Sequence, residues 1–316
     1  MTHRHLGSSG LVVSTVGLGC NNFGRKLDLE SSRAVVDAAL DAGITLLDTS
    51  DSYGDSEEIL GCLLGERRHE IVLATKFGSD LKGANGPDWG ARGSRRYIRR
   101  AVERSLRRLR TDWIDLYQIH RPDPTTPVAE TVGALSELVR EGKVRYLGCS
   151  NYAAWQVADA DWMARTQGME RFVSAQNEYS LLNRRVENEL VPACLQFGVG
   201  ILPYFPLANG MLTGKYQRGQ PVPAGSRIEN WGIESHLTES RFDVIEKLTS
   251  LAQARGVSLL DLAIGGLAAQ PGVASVIAGA TSAEQVRANA ATARWTPAVE
   301  DLSAVDEIVG RGRVIR

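Results

Sequence analysis

The sequence predicts a single (β/α)8 TIM barrel, on three observations. Short β-rich apolar runs alternate with helix-period segments, eight times, without a composition break or linker between them. The runs are apolar on both faces, as strands of a parallel sheet covered by helices must be. The residues that follow them are polar types capable of chemistry, and a barrel builds its active site at those strand ends. A length of 316 residues suits one such barrel, so the whole chain, 1–316, is read as one domain.

The elements follow in order. A hairpin opens the chain: His5-Leu6 and Leu11–Val13 flank the turn Gly7–Gly10, and the hairpin is placed to close the bottom of the barrel. The strands are Thr15–Leu18, Thr45–Leu47, Ile71–Thr75, Asp115–Ile119, Val144–Cys149, Phe172–Ala175, Gly200–Pro203 and Ala274–Ile277. Helical periodicity marks Ser31–Ala42, stopped by Gly43, and Ser94–Leu109. It also marks Val128–Glu141 after Pro127, Val186–Phe197 before Gly198, and Ser282–Ala293 from a Ser N-cap. The competing architecture is an open doubly wound sheet. It wants a G-x-G-x-x-G fingerprint, and Gly17–Asn22 supplies two of its glycines but lacks the third.

Composition narrows the function. Lys+Arg 36 against Asp+Glu 37 leaves a net charge of −1, without the basic excess usual in a nucleic-acid binder. The basic run on Ser94–Leu109 reads as a solvated helix back whose arginine stems cover apolar surface. No apolar stretch is long enough to span a membrane, and no signal peptide is evident. The four cysteines, Cys20, Cys62, Cys149 and Cys194, are scattered, which points to reduced thiols in the cytoplasm and to neither disulfides nor a metal site.

The strand ends carry the chemistry. The second strand ends in Asp48, with Tyr53 close behind; the third ends in Lys76 and the fourth in His120. Alone, each has an ordinary structural explanation. In a barrel they converge on one face. A Lys ammonium favours a nearby phenolate and is expected to lower the Tyr53 pKa. An Asp holds the Lys charged, and a neutral His donates to a carbonyl oxygen. The set suits protonation of an oxygen on which negative charge develops. It contains no nucleophile poised by a base. Side chains supply no hydride, so a nicotinamide cofactor is implied. Ser150, Asn151 and Gln176 are candidates for its carboxamide and Tyr204 for stacking on its ring.

The chain resembles the aldo-keto reductases from about Leu6 to about Leu302. The matching segments are GITLLDTSDSYG (43–54), ATKFG (74–78), DWIDLYQIHRPD (112–123), GKVRYLGCSNY (142–152), QNEYS (176–180) and GMLTGKY (210–216). Segments 210–216 and 279–289 are most similar to the bacterial and potassium-channel-β-subunit-like branch. The resemblance implies NAD(P)H-dependent reduction of aldehydes or ketones. Tyr53 is then the proton donor, tuned by Lys76 and Asp48, with His120 orienting the carbonyl. It places the nicotinamide on Ser150, Asn151, Gln176 and Tyr204, the pyrophosphate on Leu207, Gly210, Leu212 and Lys215, and the adenosine end on Gly279, Thr281, Gln285 and Asn289.

Two departures from the family pattern matter. Phe205 stands where a Ser is frequent, and no cation lies next to Thr281, where a 2′-phosphate is expected. NADPH is the preferred cofactor, with NADH as the alternative. The stretch from Leu207 to Arg241 is too long for an ordinary loop after the seventh strand. Part of it is expected to fold over the cofactor, with Lys215, Arg218 and Arg227 offsetting phosphate charge. Asn22, Phe23, Phe77, Trp89, Tyr152 and Trp231 are the substrate-pocket candidates, for a small-molecule carbonyl compound. A cofactor-sensing regulatory module of the same fold is the second reading; a lyase or isomerase using a Lys76 Schiff base is the third.

Overall fold

Strands without a polar face need cover on both sides, and the chain provides it by closing the sheet on itself. The computed structural model describes residues 1–316. Its strands are β1 (His3–His5), β2 (Val12–Ser14), β3 (Val16–Gly19), β4 (Leu46–Asp48), β5 (Val72–Phe77), β6 (Ile114–Ile119), β7 (Val144–Ser150), β8 (Phe172–Glu178), β9 (Gly200–Tyr204) and β10 (Val276–Gly279). The last eight form one parallel sheet in the order β10-β3-β4-β5-β6-β7-β8-β9. Around the seam, Ile201 donates its N–H to Gly272 and its carbonyl accepts from Ala274, beside a parallel bridge from Ile201 to Val273. The result is the (β/α)8 TIM barrel, with strands at the positions expected.

Inside the barrel, Leu46, Val72, Ala74, Leu116, Leu202, Ala274 and Ile277 form a small apolar cluster, completed by Leu6, Leu11 and Val13 from the β1–β2 hairpin. The hairpin therefore plugs one end. Gly7 allows the close approach: its φ is +59°, and a Cβ there would lie 2.3 Å from the Gly198 carbonyl oxygen at the entry to β9. With one end stopped by apolar side chains, the cleft can form only at the other, where the strands have their carboxyl ends.

The helices are α1 (Leu29–Asp41), α2 (Ser56–Leu64), α3 (Arg95–Leu109), α4 (Val128–Arg140), α5 (Ala154–Gln167), α6 (Leu190–Phe197), α7 (Arg227–Trp231), α8 (Glu239–Ala254), α9 (Leu259–Ala268), α10 (Ala283–Ala291) and α11 (Val299–Val309). Caps set several starts. Ser94 accepts from the Tyr97 N–H and Ser282 from that of Gln285, as a Ser N-cap does. The first helix begins two residues before the expected Ser31, because the Asp28 carboxylate takes the Ser31 N–H. The helix expected from Val186 begins only at Leu190, since Arg185–Glu187 forms a separate 3-10 turn.

Helix α3 ties part of its basic face to its neighbours. Arg95 and Arg99 pair with Glu137 of α4, and Arg108 reaches Glu57 of α2 at 2.6 Å. No helix is long and apolar enough to cross a membrane.

Candidate active site

The β4, β5 and β6 ends deliver the titrating groups. Lys76 is fully buried, and its Nζ lies 2.7 Å from Asp48 Oδ2 and 2.8 Å from the Thr49 carbonyl. Asp48 Oδ1 accepts from the Gln176 amide at 2.9 Å and from that of Gln118 at 3.4 Å, so three strands fix one carboxylate. The loop after β4 brings Tyr53 back over this pair, with Lys76 Nζ 5.0 Å from the phenol ring centre. The His120 ring stands edge-on to Tyr53, centroids 5.7 Å apart.

Burial sets the protonation states. Burial raises the Tyr53 pKa, and Lys76 opposes it without reversing it, so the phenol stands above its ordinary value. The expected lowering by Lys76 acts in the right direction and is outweighed by desolvation; Tyr53 is a neutral O–H donor. Burial alone would lower Lys76, but Asp48 and then Tyr53 more than offset it and hold the ammonium above its usual range. His120 is pushed down to about 3 by burial, then by the charges of Lys76 and Arg121. A further buried carboxyl, Asp51, is pushed up to about 8 by burial and by Glu57, against Arg108.

The His120 ring is held through Nδ1, which lies 3.1 Å from Ser50 Oγ and 3.0 Å from Ser79 Oγ. Nε2 is the nitrogen left for a ligand. Neither serine was expected from the sequence; no local pattern connects them to a His on another strand. The unfolded chain takes a proton on a His below about pH 6.5, and the folded ring does not until about pH 3. Between those values His120 makes folding less favourable as pH falls. The expected result is a His120 Cε1–H NMR resonance that does not titrate between pH 8 and pH 5; a midpoint near 6.5 contradicts the neutral ring.

These groups open into one cleft of about 630 Å³ that runs from Asp48, Tyr53 and His120 to Gln285 and Asn289. Ser150, Asn151, Gln176, Tyr204, Leu207, Gly210, Lys215, Gly279 and Thr281 line it. Several of the polar groups among them also bond to one another. Ser150 Oγ donates to the Gln176 carbonyl, Asn151 donates to the His120 carbonyl, and Tyr204 donates to Asn151 Oδ1 at 2.8 Å. Asn151, Phe205 and Asn209 hold positive φ without being glycine. Such strain persists where the surroundings over-determine the backbone, as at binding sites.

The cleft does not reach Leu212. Its side chain is buried in the outer core and its N–H donates to the Leu207 carbonyl. Of the substrate-pocket candidates, Asn22 and Trp231 line the cleft. Phe23, Phe77 and Tyr152 are buried in the apolar layer between strands and helices, where Phe77 stacks on Tyr117 and Tyr152 meets Phe172 edge-on. Trp89 lies out on the surface against Arg96. These four are corrected to packing and surface roles.

The segment after β9 does return to the cleft. Pro223–Arg227 and Trp231 line it. Arg227 lies between Phe205 and Trp231, 5.4 and 5.0 Å from their ring centres. Arg218 points elsewhere, paired with Glu239, Asp243 and Glu246 of α8. The Arg25, Lys26 and Arg121 side chains also line the cleft and were not expected from the sequence.

A closed barrel whose open end presents a neutral phenol, a buried ammonium–carboxylate pair and a neutral imidazole defines an oxidoreductase site for carbonyl groups. The comparisons agree. The Aldo/keto reductase family model matches residues 15–309, and the chain belongs to that family. It is 38% identical to a probable voltage-gated potassium channel subunit beta of Oryza sativa subsp. japonica, over 98% of this chain and 92% of the relative. It is 34% identical to an L-glyceraldehyde 3-phosphate reductase of Escherichia coli K12, over 99% and 94%. A versiconal hemiacetal acetate reductase of Aspergillus parasiticus is 36% identical over 84% of each chain.

Proposed function

We propose that the protein reduces aldehydes or ketones to alcohols, with NADPH as reductant. The observation that carries the reading is the continuity of the cleft: the Asp48, Tyr53 and His120 end runs without a break to Lys215, Arg227 and Gln285. The lining fits a dinucleotide. Asn209 Oδ1 is buried without a partner, an acceptor suited to a ribose hydroxyl. Lys215 and Arg227 supply cations for phosphates. Arg227 also answers the missing cation beside Thr281: a Cβ on Gly279 would lie 3.8 Å from its Nη2. That proximity supports NADPH over NADH.

When bound, the cofactor supplies the hydride that reaches the carbonyl carbon. The chain does the rest. Tyr53 passes its proton to the carbonyl oxygen. Lys76 stabilises the phenolate left behind, and Asp48 keeps Lys76 charged and in place. His120, neutral and anchored through Nδ1, orients the same oxygen by hydrogen bonding. Ser150, Asn151 and Gln176 would hold the carboxamide, and Tyr204 would pack on the ring.

The likeness to a channel β subunit favours one competing reading, a cofactor-sensing module with little turnover. Loss of NADPH absorbance against a panel of small aldehydes separates the two. Multiple turnovers are expected, with NADPH bound more tightly than NADH. A protein that binds NADPH and reduces nothing supports the sensing role, and tighter NADH binding overturns the cofactor choice.

A further inference from the structure

Five cations line the cleft, only two of them assigned to the cofactor. Its walls present Arg25, Lys26, Arg121, Lys215 and Arg227, against the single carboxylate of Asp48, which is already paired with Lys76. Lys215 and Arg227 stand at the end away from the phenol, where they suit the cofactor. Arg25 and Arg121 stand beside the reacting groups, and Lys26 follows Arg25 in the chain. Arg25 is tied to the Tyr53 loop: its Nη2 donates to the Ser52 carbonyl at 2.7 Å, and its Cζ lies 5.9 Å from the Tyr53 ring centre. Arg121 directly follows His120, and its charge helps to keep that ring neutral. None of Arg25, Lys26 and Arg121 has a carboxylate within 4.0 Å, although ion pairs are common elsewhere on this chain.

We propose that the mouth beside Tyr53 and His120 is an anion subsite, and that the preferred substrates are carbonyl compounds bearing a phosphate or carboxylate a few atoms from the carbonyl. The carbonyl oxygen sits between Tyr53 and His120, and the anionic group meets the guanidinium of Arg25 or Arg121. Guanidinium forks match both oxyanions in a bidentate fashion. Unpaired like charges in a concave mouth also focus the field and draw anions in from solution. A neutral aldehyde gains neither effect.

The inference rests on the carbonyl-reducing reading, so its test has one arm that needs no turnover. In the first arm, kcat/KM is compared for charged and uncharged partners: glyceraldehyde 3-phosphate with glyceraldehyde, and succinic semialdehyde with butanal. The charged member is expected to win by about tenfold or more at low salt, by a lower KM, with the ratio shrinking as KCl is added. The phosphate and carboxylate pairs show which anion is preferred. R25Q and R121Q are each expected to reduce the ratio severalfold. In the second arm, glycerol 3-phosphate and glycerol are titrated into the NADP-saturated protein by calorimetry. Binding of the phosphate alone, weakened by R25Q or R121Q, is expected. Ratios near one in the wild type, or ratios and binding that neither substitution alters, overturn the subsite. Phosphate binding that depends on Arg25 or Arg121, without reduction of any aldehyde, keeps the subsite and overturns the reductase reading instead.

Discussion

Replacing Tyr53 by Phe lowers kcat for aldehyde reduction by about 10²–10⁴-fold, the range that a positioned general acid contributes, while NADPH binding stays within about twofold. The phenol is the proton source best placed for the job. It is kept neutral by burial, with a fully buried ammonium 5.0 Å from its ring to stabilise the anion that forms. No second donor can take its place: His120 is unprotonated down to about pH 3, and the Lys76 proton is held on Asp48 and the Thr49 carbonyl. Phe keeps the ring and its edge-on contact with His120, so the cleft keeps its shape. Steady-state rates with a good aldehyde, set beside fluorescence titration of NADPH, check both halves. A variant that retains full rate on every carbonyl tested removes Tyr53 from the chemistry.

The barrel and the buried centre of its site were legible because both rest on short-range patterns. Each strand run ends on the residue that matters, so Asp48, Lys76 and His120 announce themselves once eight such runs are counted. The hairpin plug is equally local, two short strands around Gly7–Gly10. Helix α5 was not legible. It buries Asp161, which pairs with Arg165 and Arg171, and exposes Trp155 and Trp162, so its apolar residues lose the helical period. Substrate-side aromatics failed for a related reason. Phe77 follows Lys76 directly, and alternation along β5 sends one side chain into the site and the next into the helix-facing core. Phe23 and Tyr152 are drawn into the same layer. The groups that were missed act across long sequence distances. Ser50 and Ser79 meet at one imidazole from separate loops, and Arg25 reaches the Ser52 carbonyl from the loop after the preceding strand. Nothing in local spacing encodes such meetings.

The buried pair beneath the phenol carries the largest expected effect on stability. Lys76→Met leaves the Asp48 carboxylate in the barrel with only the Gln176 and Gln118 amides as partners. Removing one member of a buried pair costs about 3–5 kcal/mol, a fall in Tm of roughly 4–8 °C for a chain of this size. The pH dependence gives the cause away. In the wild type the Lys76 pKa is raised above 10.5, so its contribution is complete below that value and is lost only as pH rises through the folded one. In the variant the orphaned carboxylate is relieved by taking up a proton, so the deficit shrinks as pH falls. A second change tests the pairing itself. Asp48→Asn placed on Lys76→Met removes the uncompensated charge, and the double variant is expected to recover much of the lost Tm while staying inactive, since Tyr53 has lost the ammonium that stabilises its anion. Thermal melts from pH 5 to pH 9 read all three proteins. A Lys76→Met deficit that is equally large at both ends, or a double variant no more stable than the single one, means that packing of the lysine stem, and not its charge, holds this part of the barrel.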